Sequence, residues 1–535
     1  MSESRISGFH NLDLAARLDK LAELGWLSGT DVELLKSGQQ ILRVNVADRM
    51  VENVVGIFGL PLAIAPNFVV NGRDYIVPMV VEEPSVVAAL SNAARQARPE
   101  GFSSHIDEWL VAGQVYVTDV ADIDTAMAAL RSHREELLEQ ANAVHPRLQK
   151  YGDGVVDLRV ESLELPDKSA IVVHFFVDAG NAMGANIVNT ICEAMAPVIG
   201  DICAGDIALR ILSNLADRSL VTVRVNYALE ALATKQFSGE QVRDRIIAAS
   251  EIAVADPYRA ATHNKGVMNG VDAVALATGN DWRAIEAGAH AYAAATGRYR
   301  PLATWQVAHD GSLQGDLKMP LRVATVGGTL RTNKAAALAL RLIGAESSRE
   351  LAQLMAAVGL AQNFAAIKAL ATDGIQEGHM RMHARSAAAE QDTAARLHEN
   401  PDGLAAGKVI LVGEHAVVYG KHALALPIDE AVTAKFVPRG VEDAEFVRRL
   451  LDFVRQELGI GHDQSGIDIR TKLPPGMGLG VSAAMAVAVV RAFNSKYSLQ
   501  MDDSAVNALA FECEKLAHGD PSGIDNTVAT YAVPT

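Results

Sequence analysis

The sequence predicts a mixed α+β protein. Alanine-rich segments with apolar residues at helical spacing run from Leu12 to Leu42 and from Ala335 to Ala371, and this pattern predicts helices. Short runs rich in β-branched residues, Ser169 to Ala179 and Ser219 to Leu229, predict strands. Helices and strands do not alternate strictly, and the sequence has no repeat of fixed period, which favours an α+β arrangement over a solenoid.

Length, charge and cysteine content limit the classes of protein. At 535 residues the chain is too long for one hydrophobic core, so we expect several domains. The formal net charge of −16 argues against nucleic acid or an anionic membrane as the main partner. Cys192, Cys203 and Cys513 lack metal-ligand or redox spacing, which predicts buried thiols in a reducing cytosol.

Apolar stretches indicate no membrane segment. The N-terminus is polar and amphipathic, unlike a signal peptide. Stretches such as Ala483 to Phe493 fall short of the about 18 to 20 residues that a membrane helix needs. We therefore expect a cytoplasmic protein.

The composition changes after His383. The following segment is polar, alanine-rich and broken by Pro401 and Gly403, as is typical of a linker. A new strand pattern, GKVILVG, then begins at Gly407. We place a linker at residues 391–406 and expect a separate domain after it.

A lone lysine, Lys265, lies between Asn264 and Gly266 in what we predict to be a small polar loop, and Asp281 follows. A lysine in such a loop is poor core material. It suits an ammonium group held against an oxygen that acquires charge, with a carboxylate close by.

Two further motifs carry ionisable side chains. Glu82 and Glu83 are adjacent in a segment that reads as a strand, so only one of them can point into a site. Paired glutamates otherwise mark a solvated edge. His379 and His383 are four residues apart and share one face of a helix. Their spacing is that of zinc-binding histidines, but Met380 stands where the catalytic glutamate would be, so a metal is the lesser interpretation.

These motifs, in this order over about residues 1–385, resemble class II 3-hydroxy-3-methylglutaryl-coenzyme A (HMG-CoA) reductase. The resemblance implies that Lys265 holds the carbonyl oxygen, in a hydrogen-bonded network with Asp281 and Glu83. It implies that protonated Glu83 serves the reduction of mevaldehyde and that His379 protonates the coenzyme A thiolate. The substrate-binding residues implied by the resemblance are Ser85, Asn214, Arg259, Asn269 and His383.

A guanidinium is the natural bidentate partner of a free carboxylate, which gives Arg259 a chemical reason to bind the substrate. The asparagines alone would be equally consistent with turns. For the cofactor, NADH or NADPH, no GxGxxG motif follows a strand, so a Rossmann domain is not indicated. Two glycine-containing loops match the family's nicotinamide loops instead, although the family usually has aspartate where this chain has Asn181. The residues concerned are Asn181, Met183, Gly184, Asn186, Val326, Gly327 and Gly328.

The resemblance also implies domains and partners. A large domain (1–107 and 217–375) is interrupted by a small α/β nucleotide-binding domain (108–216), and a truncated catalytic flap follows at 376–390. The segment Glu52 to Gly56 matches the family's dimer-contact motif, so we expect a homodimer with its active site at the subunit interface. Assembly of such dimers into a higher oligomer is left open. The ligands would be HMG-CoA, mevalonate and coenzyme A, with neither nucleic acid nor membrane as a partner.

Three motifs after residue 407 resemble mevalonate kinase of the GHMP kinase superfamily: KVILVGEHAVVYGKHALALP, PPGMGLGVSAA and ECEKLAHGDPSGIDN. The glycine-rich middle motif has the form of a phosphate cradle before a helix. The resemblance implies Mg²⁺ ligation by Ser482 and Glu514, action of Asp525 on the attacking hydroxyl with Lys408 beside it, and bound ATP. The remaining implied site residues are Glu414, His415, Gly478 and Gly480.

We expect residues 407–535 to form only the N-terminal part of such a kinase. The primary prediction is therefore an HMG-CoA reductase that makes mevalonate, fused to an incomplete mevalonate kinase domain. One alternative is a reductase that is inactive for lack of a full flap, in a fragment of a longer bifunctional chain. The other is that the C-terminal part is a scaffold or interaction module.

Overall fold

The computed structural model describes residues 3–146, 148, 152–327, 333–372, 403–412, 423–437, 445–461, 466–471, 479–518 and 521–533. The chain divides into two units, Met1–His379 and Met380–Thr535. Each unit combines helices with a sheet, which confirms the predicted α+β class.

The first unit contains most of the described elements. Its helices are α1 (Leu14–Glu23), α2 (Gly29–Lys36), α3 (Val44–Ala47), α4 (Val86–Gln96), α5 (Ile123–Ser132), α6 (Arg134–Val144), α7 (Ala185–Cys203), α8 (Leu229–Leu232), α9 (Gly239–Ala255), α10 (Pro257–Ala277), α11 (Trp282–Ala294), α12 (Lys334–Ile343) and α13 (Ser348–Ala371). Its strands are β1 (Leu62–Val70), β2 (Arg73–Val80), β3 (Phe102–Ile106), β4 (Val111–Thr118), β5 (Gly154–Glu164), β6 (Ser169–Asp178), β7 (Asp206–Leu212), β8 (Leu220–Tyr227), β9 (Ala303–Val307) and β10 (Leu313–Pro320).

A six-stranded sheet in the order β2-β1-β3-β8-β10-β9 forms the framework of this unit. Helices α10 and α13 pack against each other beside it. Their axes approach closely because glycines lie at the crossing: a Cβ on Gly270 would come within 3.0 Å of the Val358 carbonyl oxygen, and one on Gly359 within 2.9 Å of Val267. This contact fixes one side of α10, and the opposite side faces outward.

Helix α13 has the length and apolar composition of a membrane-crossing helix, but 67% of its most apolar window is buried in the protein. The sequence analysis, which found the apolar stretches too short for a membrane helix, did not identify α13 as a segment of this length and composition. Its burial against α10 and the sheet explains its composition, since a helix that is apolar on all sides is typical of a core.

A second sheet, in the order β5-β6-β4-β7, is inserted between β3 and β8. Helices α5, α6 and α7 cover it and enclose a separate apolar cluster that includes Val115, Leu130, Phe175 and Ile191. The predicted bounds of the small domain, 108–216, include this sheet. The domain division itself stays a prediction.

The second unit contains a three-stranded sheet in the order β11-β12-β13. Its strands are β11 (Leu404–Val412), β12 (Leu424–Val437) and β13 (Gly466–Thr471), and its helices are α14 (Glu445–Glu457), α15 (Val481–Tyr497), α16 (Asp503–His518) and α17 (Ile524–Tyr531). The almost fully buried helix α15 is the centre of its core.

Several local predictions can be checked directly. Strands β6 and β8 and the buried, free cysteines are confirmed. The two predicted helical segments are each broken at a glycine of positive φ, Gly25 (75°) and Gly344 (66°). The last three residues of the predicted linker, from Leu404, belong to β11, and residues 391–402 of it lie outside the described residues. The predicted flap lies outside the described residues.

Candidate active site

Lys265 lies in the middle of α10, so the prediction of a loop was wrong. Asp256 caps this helix by accepting hydrogen bonds from the backbone N–H groups of Tyr258 and Arg259, and Pro257 occupies the first turn. The glycines that suggested a loop are packing positions: Gly266 and Gly270 face α13 at short distance. The exposed side of the helix carries Lys265, and Asn269 on the same side is half-buried.

The ammonium group of Lys265 lies 2.7 Å from Oε2 of Glu83. Glu83 lies in the turn between β2 and α4, just after the strand in which we had placed it, and Glu82 beside it is exposed. The side chains of Lys265 and Glu83 are 58% and 35% exposed. An ion pair this open to water adds about 0 to 1 kcal/mol to stability, so stability is a weak reason for the pairing.

Ser85 follows Glu83 and has a left-handed backbone, with φ of 73°. It begins α4 without forming a side-chain capping hydrogen bond. A non-glycine residue in this conformation carries backbone strain, which proteins concentrate at functional sites. The uncapped hydroxyl and the strained turn are consistent with the substrate-binding role predicted for Ser85.

Asp281 caps α11 rather than joining the Lys265–Glu83 pair. Its carboxylate accepts hydrogen bonds from the backbone of Arg283 and Ala284, at 3.1 and 3.2 Å, and lies 3.0 Å from the Arg283 guanidinium. Within the described part of the chain, no hydrogen bond or ion pair links Asp281 to Lys265. The structure therefore brings together two members of the predicted three-residue network.

The predicted substrate-binding residues Arg259 and Asn269 also lie on α10. Asn269 is four residues after Lys265, and the two therefore share one helix face. Burial lowers the pKa of the Arg259 guanidinium. Among the described residues, this guanidinium has no recorded ion pair or hydrogen bond, so it is a half-buried cation that an anionic ligand can neutralise.

Asn214 lies in the connection between β7 and β8. Its carbonyl oxygen would be 2.6 Å from a Cβ on Gly288 of α11, so the two segments are in close contact. Asn214 and Met183 line the same small cavity. The structure thus places a predicted substrate residue beside a predicted cofactor residue.

The two predicted cofactor loops are hydrogen-bonded to each other: the N–H of Thr325 donates to the carbonyl oxygen of Asn181 at 3.1 Å. The side-chain oxygen of Asn181 accepts from the N–H of Ser348 at 3.0 Å. Gly184 has φ of 96° and begins α7, and Asn186 lies in its first turn. The free N–H groups at this helix start can bind an anion.

In the second loop, Gly327 has φ of 84° and Val326 is 51% exposed. Three predicted residues, Gly328, His379 and His383, lie outside the described part of the chain.

The second unit brings its predicted residues together in two pairs. The ammonium group of Lys408, almost fully buried, lies 3.0 Å from Oδ1 of Asp525. The hydroxyl of Ser482 donates to the carboxylate of Glu514. Gly480 begins α15 with φ of 68°, and a Cβ there would be 2.7 Å from the Lys408 side chain. Three further predicted residues, Glu414, His415 and Gly478, lie outside the described residues.

Comparison with known proteins decides the family of the first unit. The family described as Hydroxymethylglutaryl-coenzyme A reductase matches residues 13–384. The chain belongs to this family. A 3-hydroxy-3-methylglutaryl-coenzyme A reductase of Archaeoglobus fulgidus is 46% identical over 386 residues, which cover 72% of this chain and 87% of that protein.

Solved structures place this reductase domain in class II. A reductase of Streptococcus pneumoniae is 43% identical, with a TM-score of 0.66, and the match covers 68% of this chain and 98% of that one. A second structure, titled as the class II enzyme of the same organism bound to NADPH in open conformations, has the same identity and TM-score and is covered to 99%.

The reductase domain is followed by a kinase-like region. The family described as GHMP kinases N terminal domain matches residues 445–532. A mevalonate kinase of Archaeoglobus fulgidus is 34% identical over 139 residues, which cover 24% of this chain and 49% of that kinase. The chain thus spans about half the length of the mevalonate kinases that it matches.

Arg322 contacts the first predicted cofactor loop, and the sequence analysis missed it. Its buried guanidinium donates hydrogen bonds to the carbonyl oxygens of Met183 and Ala182, at 3.2 and 3.0 Å, and to that of Trp109 at 3.1 Å. Burial lowers its pKa to about 10. Arg322 therefore holds the first cofactor loop in place, and the signal in the sequence was a single arginine within the apolar run MPLRVATV.

Proposed function

We propose that the chain reduces HMG-CoA to mevalonate and free coenzyme A with two molecules of NADH or NADPH. The observation that carries the proposal is the exposed 2.7 Å pair of Lys265 and Glu83 on the predicted catalytic face of a chain of this family. Helix α10 supplies the rigid element that such a site needs.

The chemistry assigns a task to each side chain. The bound nicotinamide supplies the hydrides. Lys265 stabilises the oxyanion that forms when the thioester carbonyl is reduced. Collapse of this oxyanion breaks the C–S bond, and His379 protonates the departing thiolate. Glu83 provides the proton that completes the reduction of the aldehyde to the alcohol.

Substrate binding follows from charge. The half-buried Arg259 binds the free carboxylate of the HMG group, because a guanidinium offers two parallel N–H donors to a carboxylate. Ser85, Asn214, Asn269 and His383 contact the rest of the substrate. Asp281, at the start of α11, belongs to the same catalytic group as Lys265 and Glu83.

The residues present fit a dinucleotide. The start of α7, with a left-handed glycine at Gly184, offers backbone N–H groups to a phosphate. The two predicted cofactor loops, joined by the hydrogen bond from Thr325 to Asn181, hold the nicotinamide half. Asn181 carries no charge, so this loop lacks the carboxylate that the family usually has near the cofactor.

We propose a cytoplasmic homodimer with the active site at the subunit interface. The segment between α3 and β1 supports an interface, because Val51, Val55 and Phe58 are 58%, 102% and 89% exposed. Apolar side chains exposed in one continuous segment are typical of an interaction surface.

For the second unit we propose binding of ATP and Mg²⁺ at the Ser482–Glu514 pair. Hydroxyl and carboxylate oxygens are ligands that Mg²⁺ accepts. The ion pair between Asp525 and the almost fully buried Lys408 supports a role of Asp525 as the base toward mevalonate. Because the reductase would make mevalonate, the two units would act in sequence.

The reductase proposal is tested by comparing Lys265→Ala with the parent protein and with Lys235→Ala, a second exposed lysine of the first unit. We expect HMG-CoA-dependent oxidation of the nicotinamide to fall by at least about a hundredfold in Lys265→Ala and to remain unchanged in Lys235→Ala. Equal activity of Lys265→Ala and the parent would overturn the proposal.

A further inference from the structure

A hydrogen-bonded chain of side chains connects α10 with α11. The Asn264 amide donates to the Tyr299 hydroxyl at 3.0 Å, and this hydroxyl lies 2.7 Å from Nδ1 of His290. Nε2 of His290 lies 2.5 Å from Oε2 of Glu286. The carboxyl group of Asp272 is hydrogen-bonded to Glu286. The chain therefore starts and ends on α10 and passes through α11.

The donors and acceptors along the chain fit one arrangement. Tyr299 accepts from Asn264, and when it donates to Nδ1 of His290, Nε2 of His290 carries a proton that it can donate to Glu286. Two carboxylates in direct contact cannot both be ionised at low cost, so one proton is shared between Asp272 and Glu286. Burial and the neighbouring Glu286 raise the pKa of Asp272, which assigns the proton to Asp272.

Both helices carry residues of the proposed site, with Lys265 in the middle of α10 and Asp281 at the start of α11. Asp272 is seven residues after Lys265, on the same face of α10 and about 10 Å along its axis. Glu286 is one turn and a residue beyond Asp281, which caps α11. Two hydrogen bonds also fix the short connection between the helices. The side chain of Asn280 donates to the carbonyl oxygen of Ala324 and accepts from its N–H, next to the second predicted cofactor loop.

Stability alone does not explain this chain. A half-buried pair of acids costs folding free energy that an apolar pair would not, and the buried Oδ1 of Asp272 has no hydrogen-bond partner among the described residues. The chain does, however, define the rotation and height of α11 relative to α10, and with them the position of Asp281 relative to Lys265.

We propose that Asp272, Glu286, His290 and Tyr299 are positioning residues of the reductase reaction, which hold the Asp281 end of α11 in register with Lys265. This inference rests on the proposed function for its catalytic consequence. In the described part of the chain they form no hydrogen bond or ion pair with the predicted site residues, and they act through α11.

The test compares Asp272→Ala, Asp272→Asn and Tyr299→Phe. The asparagine amide can still donate to Glu286, so we expect Asp272→Asn to keep kcat within about threefold of the parent. We expect Asp272→Ala and Tyr299→Phe to lower kcat by about tenfold to a hundredfold and to leave KM for HMG-CoA nearly unchanged. Ser250→Ala is the control, because it removes another buried hydrogen bond of this core, to the N–H of Trp305 at 3.1 Å, away from α11.

Hydrogen exchange measures positioning without turnover. We expect the backbone amides of Arg283 and Ala284, which Asp281 caps, to exchange at least about tenfold faster in Asp272→Ala and Tyr299→Phe than in Asp272→Asn or Ser250→Ala. Unchanged exchange, or a loss of kcat that asparagine fails to rescue, would overturn the inference. If the parent shows no reductase activity, the proposed function fails, and the exchange result still decides whether the chain positions α11.

Discussion

Lys265 and Glu83 are 182 residues apart in the sequence and 2.7 Å apart in the structure. One lies on a long helix and the other in a strand-to-helix turn, so the framework of the first unit brings them together. The pair is open to water and of little value to stability. A cation and an acid that meet at the surface of a rigid framework are suited to binding an oxygen and moving a proton.

Glu83→Gln tests the acid in this pair. Glutamine retains a hydrogen bond to Lys265 but does not supply a proton, so the reduction of added mevaldehyde should slow by about a hundredfold or more. The melting temperature should stay within about 1 °C of that of the parent, because the lost ion pair is exposed. Glu82→Gln, the exposed neighbour, is the matched control and should behave as the parent in both assays.

Arg259→Lys tests recognition of the substrate carboxylate. A lysine keeps the charge but loses the two parallel donors of the guanidinium, so KM for HMG-CoA should rise by about tenfold or more while kcat changes less. Arg95→Lys, an exposed arginine of α4, serves as the control in steady-state kinetics. An unchanged KM in Arg259→Lys would remove Arg259 from the substrate site.

Asp272→Asn should change the pH dependence of stability. The pKa of Asp272 is raised in the folded protein, whereas the unfolded chain loses this proton near the ordinary value of about 4. Above that value the folded protein binds more protons than the unfolded chain, so the free energy of unfolding falls as pH rises.

The asparagine variant lacks this titration. The melting temperature of the variant minus that of the parent should therefore increase as pH rises from about 5 to about 8. Thermal melts at several pH values measure the difference. A constant difference across this range would show that Asp272 does not keep its proton in the folded protein.

Arg322→Leu tests the support of the first cofactor loop. The carbonyl oxygens of Trp109, Ala182 and Met183 lose their donor, so the variant should lose at least about 2 kcal/mol of unfolding free energy. KM for the nicotinamide should also rise, since the loop is less ordered. If stability falls but KM for the cofactor stays the same, the loop does not bind the nicotinamide.

The sequence predicts structure and family correctly where a sequence pattern has only one physical explanation. Strands β6 and β8 follow from β-branched runs, and the family follows from ordered motifs. The prediction of a loop around Lys265 was wrong, because a glycine required for close helix packing, such as Gly270, cannot be distinguished in a sequence from a glycine required for a turn. Only the position of α13 distinguishes the two.

Contacts between distant segments were the part that sequence could not supply. Asp281 caps the start of α11 and does not contact Lys265 in the described structure, because backbone N–H groups of α11 are close to it. A family resemblance gives no information about these local donors. The role of Arg322 depends on the segments of Trp109 and of Ala182 and Met183 meeting around one guanidinium.

The most direct test of the central claim is the amount of nicotinamide oxidised per HMG-CoA consumed, followed by absorbance with NADH and NADPH separately. We predict two nicotinamides oxidised for each HMG-CoA, with mevalonate and free coenzyme A as products. A folded protein that binds HMG-CoA but oxidises neither nicotinamide would contradict the claim.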